Sequence, residues 1–540
     1  MKNKILLLMV VLAFSGCGKL DEQAYTFITP DAFYKTEADA DASCIGIYSS
    51  LPAAEYYNMI NGLGCVGYTA DGRYNYQNTG DIIDTDELMN RVWQKQYDVV
   101  RKANTTIYNL EKSSISDAVK NRYVAEAKVL RALAYFRLVS LWGDIPYRDN
   151  PIFTGDDLEM TPMAKVYQNL VADLTWAIPY MWSKTEKPRG RATKQAAQIL
   201  LARIYLTMAS SARSYNPATS AKGLKPYNDA FKDNISTYYQ NCKDLCNEVI
   251  SNNSFKLLTD WKTMWGKWTN IDYRNNDEFI WSSQSATGEY EGAGTQYPPV
   301  HSEYAPFKRG MFGGFVYNYV TSFNVNDLRY TWGFIWEYKD MATSTAKKTI
   351  IERWRRHVNN PDYPATTTVV NIINTPTLLV RENAYWIMCM KKFVDQTWTV
   401  GSGAIDMPYF RMAEAYLMFA EAENELNGFT QAAADKIHPV RTRVNLPAYT
   451  AGQFTKEQFR GKILDEYLWE FGMEGKDYYD LVRMGQLEER CYGVEATQDG
   501  KDIVANPRPR TAEDYWLPYP STEKRLNSFM TALDRMNFSK

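Results

Sequence analysis

Residues 125–147, AEAKVLRALAYFRLVSLWGDIPY, constrain the fold of this chain more than any other stretch. Its first eighteen residues contain neither Pro nor Gly and are rich in Ala, Leu and Arg, all strong helix formers. Tyr123, Ala127, Leu130, Ala134, Leu138 and Leu141 recur at helical spacing, yet Val129, Ala132, Leu133, Phe136 and Val139 fall on other faces. A helix that is apolar around most of its circumference must be covered on several sides. Gly143 and Pro146 then stop it, as a C-terminal glycine followed by proline should. The stretch therefore predicts the central helix of an α-helical stack.

Other segments repeat this texture. Pro30 near the start of a helix through about Ser50 suits a proline at an early helical position. Asn58–Gly80 is too rich in Gly and Asn to read as helix. Helices are expected at 85–111, 117–142, 162–182, 192–210 and 236–251, and again at 409–427, 432–444, 455–471 and 475–487. Between about Ser254 and Pro408 the texture changes: Glu278–Trp281 reads as a short strand, and Gly, Pro, Tyr and Trp crowd a long irregular region. Trp516–Pro520 reads as extended and proline-pinned. Small residues at the helix contacts suggest tetratricopeptide-like hairpins, about four pairs in all, without a clean repeat period. The expected fold is mainly α, interrupted by one large loop-rich insertion with short strands.

The N-terminus reads as an export leader over 1–16. Lys2 and Lys4 precede the apolar run Ile5–Phe14, and Ser15 and Gly16 lead into Cys17. Ten apolar residues cover only about half of a roughly 30 Å hydrocarbon core, so this is not a membrane span. A cysteine directly after small residues resembles a bacterial lipobox, with Phe14 where leucine is usual. Acylation of Cys17 would anchor the chain stably to a membrane. Asp21 and Glu22 resemble an acidic signal for surface export. Losing Lys2 and Lys4 with the leader takes 61 basic residues to 59 against 63 acidic, a net of −4. That balance gives no electrostatic footprint for nucleic acid. The other cysteines, at 44, 65, 242, 246, 389 and 491, are too scattered for a disulfide framework. Cys242 and Cys246 share a helix face but have no histidine nearby, so buried small side chains are the reading there.

Taken in order, these pieces resemble the SusD/RagB family of nutrient-binding outer-membrane lipoproteins over nearly the whole length. The resemblance rests on the lipobox, the Pro30–Ser50 helix, AEAKVLRALAYFRLVSLWGDIPY, RATKQAAQILLARIYL, Asp327-Leu328-Arg329 and KKFVD at 391–395. It continues through YFRMAEAYLMFAEAENELNG, VRTRVNLP, ILDEYLWEFGMEGKDYYDLVRMG and LPYPSTE. Gly472 and Lys476 depart from commoner residues of the Glu-rich motif, and Pro518-Tyr519-Pro520 stands for the usual Pro-Ile-Pro. The resemblance implies a single domain over 17–540, with an N-terminal helical part to about 253, a ligand-binding insertion over about 254–408 and a C-terminal helical part. It further implies a surface-exposed, non-enzymatic binder that caps a SusC-like TonB-dependent transporter and hands it oligosaccharides. Some relatives are thought to bind peptides instead. No cofactor is implied beyond an occasional structural calcium ion, and the chain has no loop of EF-hand type.

The residues themselves point to where binding should lie. Aromatic rings match the C–H faces of sugars, and nearby Asn, Asp, Arg and Gln satisfy hydroxyls. Two stretches fit. Asp71, Arg73, Tyr74, Asn75, Tyr76 and Gln77 interleave polar groups with rings; Trp281, Tyr290, Tyr297, Tyr304, Phe312, Tyr317, Trp332 and Trp336 populate the insertion. The competing expectation for each ring is packing beneath a long loop. Asp327 and Arg329 read as structural, as a buried ion pair.

Enzyme chemistry finds little material. Asp84/Asp86 and Asp156/Asp157 could be imagined as a glycosidase acid and base, but adjacent acids are more often turns or helix starts. His301, His357 and His438 are far apart, and no phosphate loop, metal motif or nucleophile elbow is present. A pure tetratricopeptide-like adaptor would need neither a lipobox nor an aromatic insertion.

Overall fold

The computed structural model describes residues 33–51, 54–69, 82–151, 158–188, 190–214, 229–265, 276–284, 313–315, 319–320, 322–334, 337–339, 347–349, 392, 406–491, 497–498, 501–502, 510–531 and 533. The leader and Cys17 lie outside these residues, as do Asp156 and Asp157.

In chain order the first elements are α1 (Glu37–Tyr48), α2 (Ala54–Leu63), β1 (Gly67–Thr69), α3 (Glu87–Lys112) and α4 (Asp117–Trp142). Strands β2 (Ile145–Pro146) and β3 (Met160–Thr161) follow, then α5 (Met163–Ala177), α6 (Lys194–Ser214), α7 (Ile235–Ser251) and α8 (Trp261–Met264). The middle of the chain contributes β4 (Phe279–Ser282), β5 (Gly313–Phe315), β6 (Glu337–Lys339), β7 (Lys347–Thr349) and β8 (Pro408–Arg411). Helices α9 (Met412–Asn427), α10 (Gln431–Thr442), α11 (Lys456–Phe471) and α12 (Asp477–Arg483) complete the scaffold. Successive helices pack as an array: α3 on α4, α4 on α5, α5 on α6, α6 on α7, then α7 on α9 and α9 on α10. This is the expected mainly helical, tetratricopeptide-like stacking, and the described strands are short and only paired in twos. Among the described residues no helix is long and apolar enough to cross a membrane.

Helix α4 is the centre of the array. From Tyr123 to Trp142 every residue except Lys128 is buried, so both the expected stripe and the off-stripe residues are covered. Gly143 ends it with φ 77°, a left-handed conformation that favours glycine. The C-terminal tail then latches onto this helix end. Trp142 Nε1 donates to the Pro518 carbonyl at 3.0 Å, and Tyr519 Oη donates to the Asp144 carbonyl at 2.8 Å. Charged residues of α4 tie down its neighbours. Glu126 accepts from Tyr48 at 2.6 Å and from Arg191 at 3.0 Å, while Arg131 meets Asp173 on α5 at 2.7 Å and Asn104 on α3 at 2.7 Å.

Three expectations are corrected. The first helix starts at Glu37 and not near Pro30, because Thr36 and Asp39 form a capping box that fixes its start. Part of the Gly/Asn-rich stretch is helical after all: in α2, Tyr56, Tyr57, Met59, Ile60 and Leu63 are buried, and that burial outweighs weak propensity. The helix expected from Tyr409 begins at Met412, since Pro408–Arg411 is taken up as a strand by β4. Cys242 and Cys246 are both buried on α7, as read from the sequence.

Candidate functional site

Two strand pairs frame the irregular middle of the chain. Strand β4 pairs antiparallel with β8, so that Ser282 lies opposite Pro408 and the two ends of the segment between them meet at one neck. Strand β1 pairs antiparallel with β5, with Thr69 opposite Gly313, Tyr68 opposite Gly314 and Gly67 opposite Phe315. The chain continues from Thr69 into 70–81 and runs backward from Gly313 into 285–312. The two ring-rich stretches therefore share one root, although they are far apart in sequence.

The described residues of the middle segment join a buried charged cluster. Arg329 Nη2 lies 2.8 Å from Asp327 Oδ2, and its Nη1 lies 2.7 Å from Glu466 Oε1 and 3.1 Å from Glu470 Oε2. Arg411 reaches Glu278 at 2.8 Å, Glu470 at 3.0 Å and Glu474 at 2.8 Å. Arg443 binds Glu278 and Glu470, Arg441 binds Glu466, and Lys392 binds Glu474. Five cations thus answer five carboxylates, so the cluster is balanced and hydrogen-bonded, as buried charge requires. Burial alone would raise the Glu470 carboxyl, but Arg443, Arg411 and Arg329 hold it well below the usual carboxylate range. Burial lowers the Lys392 ammonium to about 8, against the pull of Glu474. The cluster pins the 327–329 turn, Lys392, β4 and β8 to α11 and the residues after it. The middle segment is thereby fastened at its neck and at two internal points.

Rings add a second layer. Phe315, Tyr319, Phe323 and Phe334 pack on one another with centroids between 5.1 and 6.4 Å apart, and Trp469 of α11 closes on Phe323 at 5.8 Å. Tyr319 Oη donates to the Leu468 carbonyl at 2.9 Å.

The sequence-derived candidates fall as follows. Asp71, Arg73, Tyr74, Asn75 and Tyr76 lie outside the described residues, as do Gln77, Tyr290, Tyr297, Tyr304, Phe312, Tyr317 and Trp336. Trp281 belongs to the core: it is 3 % exposed, its Nε1 donates to the Gly190 carbonyl at 3.0 Å, and Tyr409, Tyr48 and Phe410 pack around its ring. As the third residue of β4 it packs into the scaffold, which corrects its reading as a ligand-binding ring. Trp332 is half-buried, edge-on to Trp261 at 6.0 Å. Asp327 and Arg329 form the expected buried pair. Asp84 and Asp86 are each engaged in a separate contact of the scaffold. Asp86 caps α3 through the Met89 amide at 2.7 Å, and Asp84 pairs with Lys524 at 2.8 Å. Among the described residues no group of three or more His, Cys, Asp or Glu is placed to hold a metal ion.

Sequence reasoning missed the partners of the charged cluster. One trace was legible: Glu466, Glu470 and Glu474 recur every four residues, a like-charge row that would be destabilising unless cations face it.

Comparison with known proteins bears on the same architecture. A family profile described as "SusD family" matches residues 247–534, and one described as "Starch-binding associating with outer membrane" matches residues 61–206. The chain is 25 % identical to SusD-like protein P25 of Formosa agariphila, over 99 % of both chains. Among solved structures, a laminarin binding SusD-like protein superposes with a TM-score of 0.64 at 20 % identity, covering 92 % of this chain and 98 % of that one. A second, described with xylogluco-oligosaccharide, gives a TM-score of 0.67 at 18 % identity, covering 93 % of this chain and 100 % of that one. At such identities the structural likeness establishes the fold.

Proposed function

The chain belongs to the SusD family, and on that premise we propose that it is a glycan-binding lipoprotein of the outer membrane, anchored through Cys17, that captures oligosaccharides without transforming them. It passes them to a SusC-like TonB-dependent transporter. The observation that carries the reading is the pairing of Thr69 with Gly313, the strand ends from which the chain runs into 70–81 and 285–312. Tyr74, Tyr76, Tyr290, Tyr297 and Tyr304 supply ring faces for sugar C–H surfaces, and Asp71, Arg73 and Asn75 supply hydroxyl partners. The balanced ion cluster that ties Arg329, Lys392 and β8 to α11 supports the same reading, because a ligand surface needs a rigid base. The carbohydrate ligands named for two structural neighbours point to the same substrate class.

The test is a glycan array run beside a peptide pool with the exported protein, followed by chromatography of the incubated glycans. Saturable binding to glycans with no new products supports the reading. Binding confined to peptides would replace it with a peptide receptor, and shortened glycans would replace it with a hydrolase. Co-purification of a TonB-dependent barrel from membranes tests the delivery step, and its absence under mild detergent would remove that step.

A further inference from the structure

Helix α4 buries three ionised side chains deep in the array, and two of them are answered by opposite charge. Glu126 has Arg191 and Arg131 has Asp173. No described carboxylate answers Arg137 in this way. It is 4 % exposed, its Nη1 has no hydrogen-bond partner, and no carboxylate among the described residues forms an ion pair with it. Its guanidinium lies 3.8 Å over the Tyr56 ring and 5.4 Å from that of Tyr409. Stacking on rings offsets only part of the cost of burying a cation. An unpaired buried charge costs several kcal/mol.

Arg137 lines a partly open cavity of about 40 Å³ bordered by α2, α4, α6, β8 and the start of α12. The other cations on its wall are engaged: Arg203 with Asp480 at 3.0 Å and Lys476 with Glu414. Glu474, the wall's carboxylate, is taken by Arg411 and Lys392. The tyrosines on the wall cannot neutralise Arg137, because burial pushes the hydroxyls of Tyr57 and Tyr479 well up and keeps them protonated. Tyr56 Oη donates to Tyr479 Oη at 2.8 Å. The cavity wall therefore carries one positive charge that no described carboxylate compensates. It is far too small for a sugar ring, since small-molecule sites run to about 300 Å³ or more, but it admits one ion or a few waters.

We propose that this cavity is a structural anion site, in which Arg137 holds a chloride-sized inorganic anion between the central helix and the C-terminal part of the chain. The site is built from described scaffold residues, and the proposal does not rest on the glycan reading.

Crystals of the mature protein grown or soaked in sodium bromide, measured at the bromine edge, test it directly. An anomalous peak beside Arg137 Nη1 is expected. Thermal unfolding in sodium chloride against sodium gluconate at matched ionic strength should show a saturable rise of about 1–2 °C in Tm with chloride. That rise should vanish in Arg137→Gln. Water-like density with no anomalous peak overturns the proposal, and so does a peak without the saturable rise. Should Arg137→Gln fail to fold, the bromide peak and the anion dependence of the wild-type protein decide the matter.

Discussion

Arg329 and Asp327 stand two residues apart in the chain and bind each other side on, Nη2 to Oδ2 at 2.8 Å and Nε to Oδ1 at 3.0 Å, with neither side chain exposed to solvent. The pair closes a turn and at the same time offers Arg329 Nη1 to Glu466 and Glu470 on α11. A local clamp and a long-range tie are thus one guanidinium. Arg329→Met should cost about 3–5 kcal/mol, because it strands Asp327 and weakens the balance at two glutamates. Adding Asp327→Asn should recover part of that loss, since the double variant leaves one fewer bare carboxylate. Urea unfolding of the single and double variants checks this. A loss below about 1 kcal/mol for Arg329→Met would show the cluster to be incidental to stability.

Gly472 follows α11 at a point where a Cβ would lie 2.1 Å from Tyr319 Oη and 2.9 Å from its Cζ. The tyrosine sits there because its hydroxyl is held by the Leu468 carbonyl at 2.9 Å. Gly472→Ala should therefore cost about 1–3 kcal/mol by overpacking. Removing the hydroxyl as well, in Tyr319→Phe/Gly472→Ala, should cost less than the two single losses added together. Additive losses in chemical denaturation would mean that the two residues do not compete for space.

Much of the scaffold was legible because its signals are local. The 117–142 helix was read with both its ends, since Gly143 and Pro146 mark one and a long Ala/Leu/Arg run fills the rest. The Asp327–Arg329 pair was legible because its members are neighbours in sequence. What was not legible depends on distant chain. The helix of Ala54–Leu63 looks like loop until burial of Tyr56, Tyr57 and Ile60 is known, and Pro408–Arg411 looks like the start of a helix until Phe279–Ser282 pairs with it. Glutamates 466, 470 and 474 announce that cations must face them, but nothing in their spacing names Arg329, Arg411 or Lys392. The site divides the same way. Ring-rich composition identified two stretches, while only the Thr69–Gly313 register gives them a common root, and composition alone misread Trp281.

Asp477 gives the protein a pH dependence of known sign. Its carboxyl is buried against Gly64, whose missing side chain leaves the room, and burial raises it to about 7, partly offset by the Tyr478 and Val66 amides. Between about pH 4 and 7 the folded protein keeps a proton that the unfolded chain releases. The stability contributed by this group is therefore complete below the unfolded value and is lost as pH rises through 7. Asp477→Asn should remove that loss: equal to wild type near pH 4, it should be more stable by about 2–4 kcal/mol at pH 8. Urea midpoints for both proteins at the two pH values check it. A difference that does not change with pH would mean that Asp477 is ionised throughout.

The two groups of rings should respond oppositely to truncation. Trp281 fills the junction between Tyr48, Tyr409 and Phe410, so Trp281→Ala should cost about 3–5 kcal/mol while the fraction that folds binds glycan as well as wild type. Tyr74→Ala and Tyr304→Ala, on the stretches rooted at Thr69 and Gly313, should weaken glycan binding about tenfold or more, since one ring face in a sugar site contributes roughly 1–3 kcal/mol. Their melting temperatures should stay within about a degree of wild type. Calorimetric titration beside thermal unfolding separates the cases, because one substitution moves only Tm and the others only Kd. If Trp281→Ala abolished binding without loss of stability, or the tyrosine changes lowered Tm and left Kd untouched, the root at Thr69 and Gly313 would be packing alone and the ligand surface would have to be sought elsewhere on the scaffold.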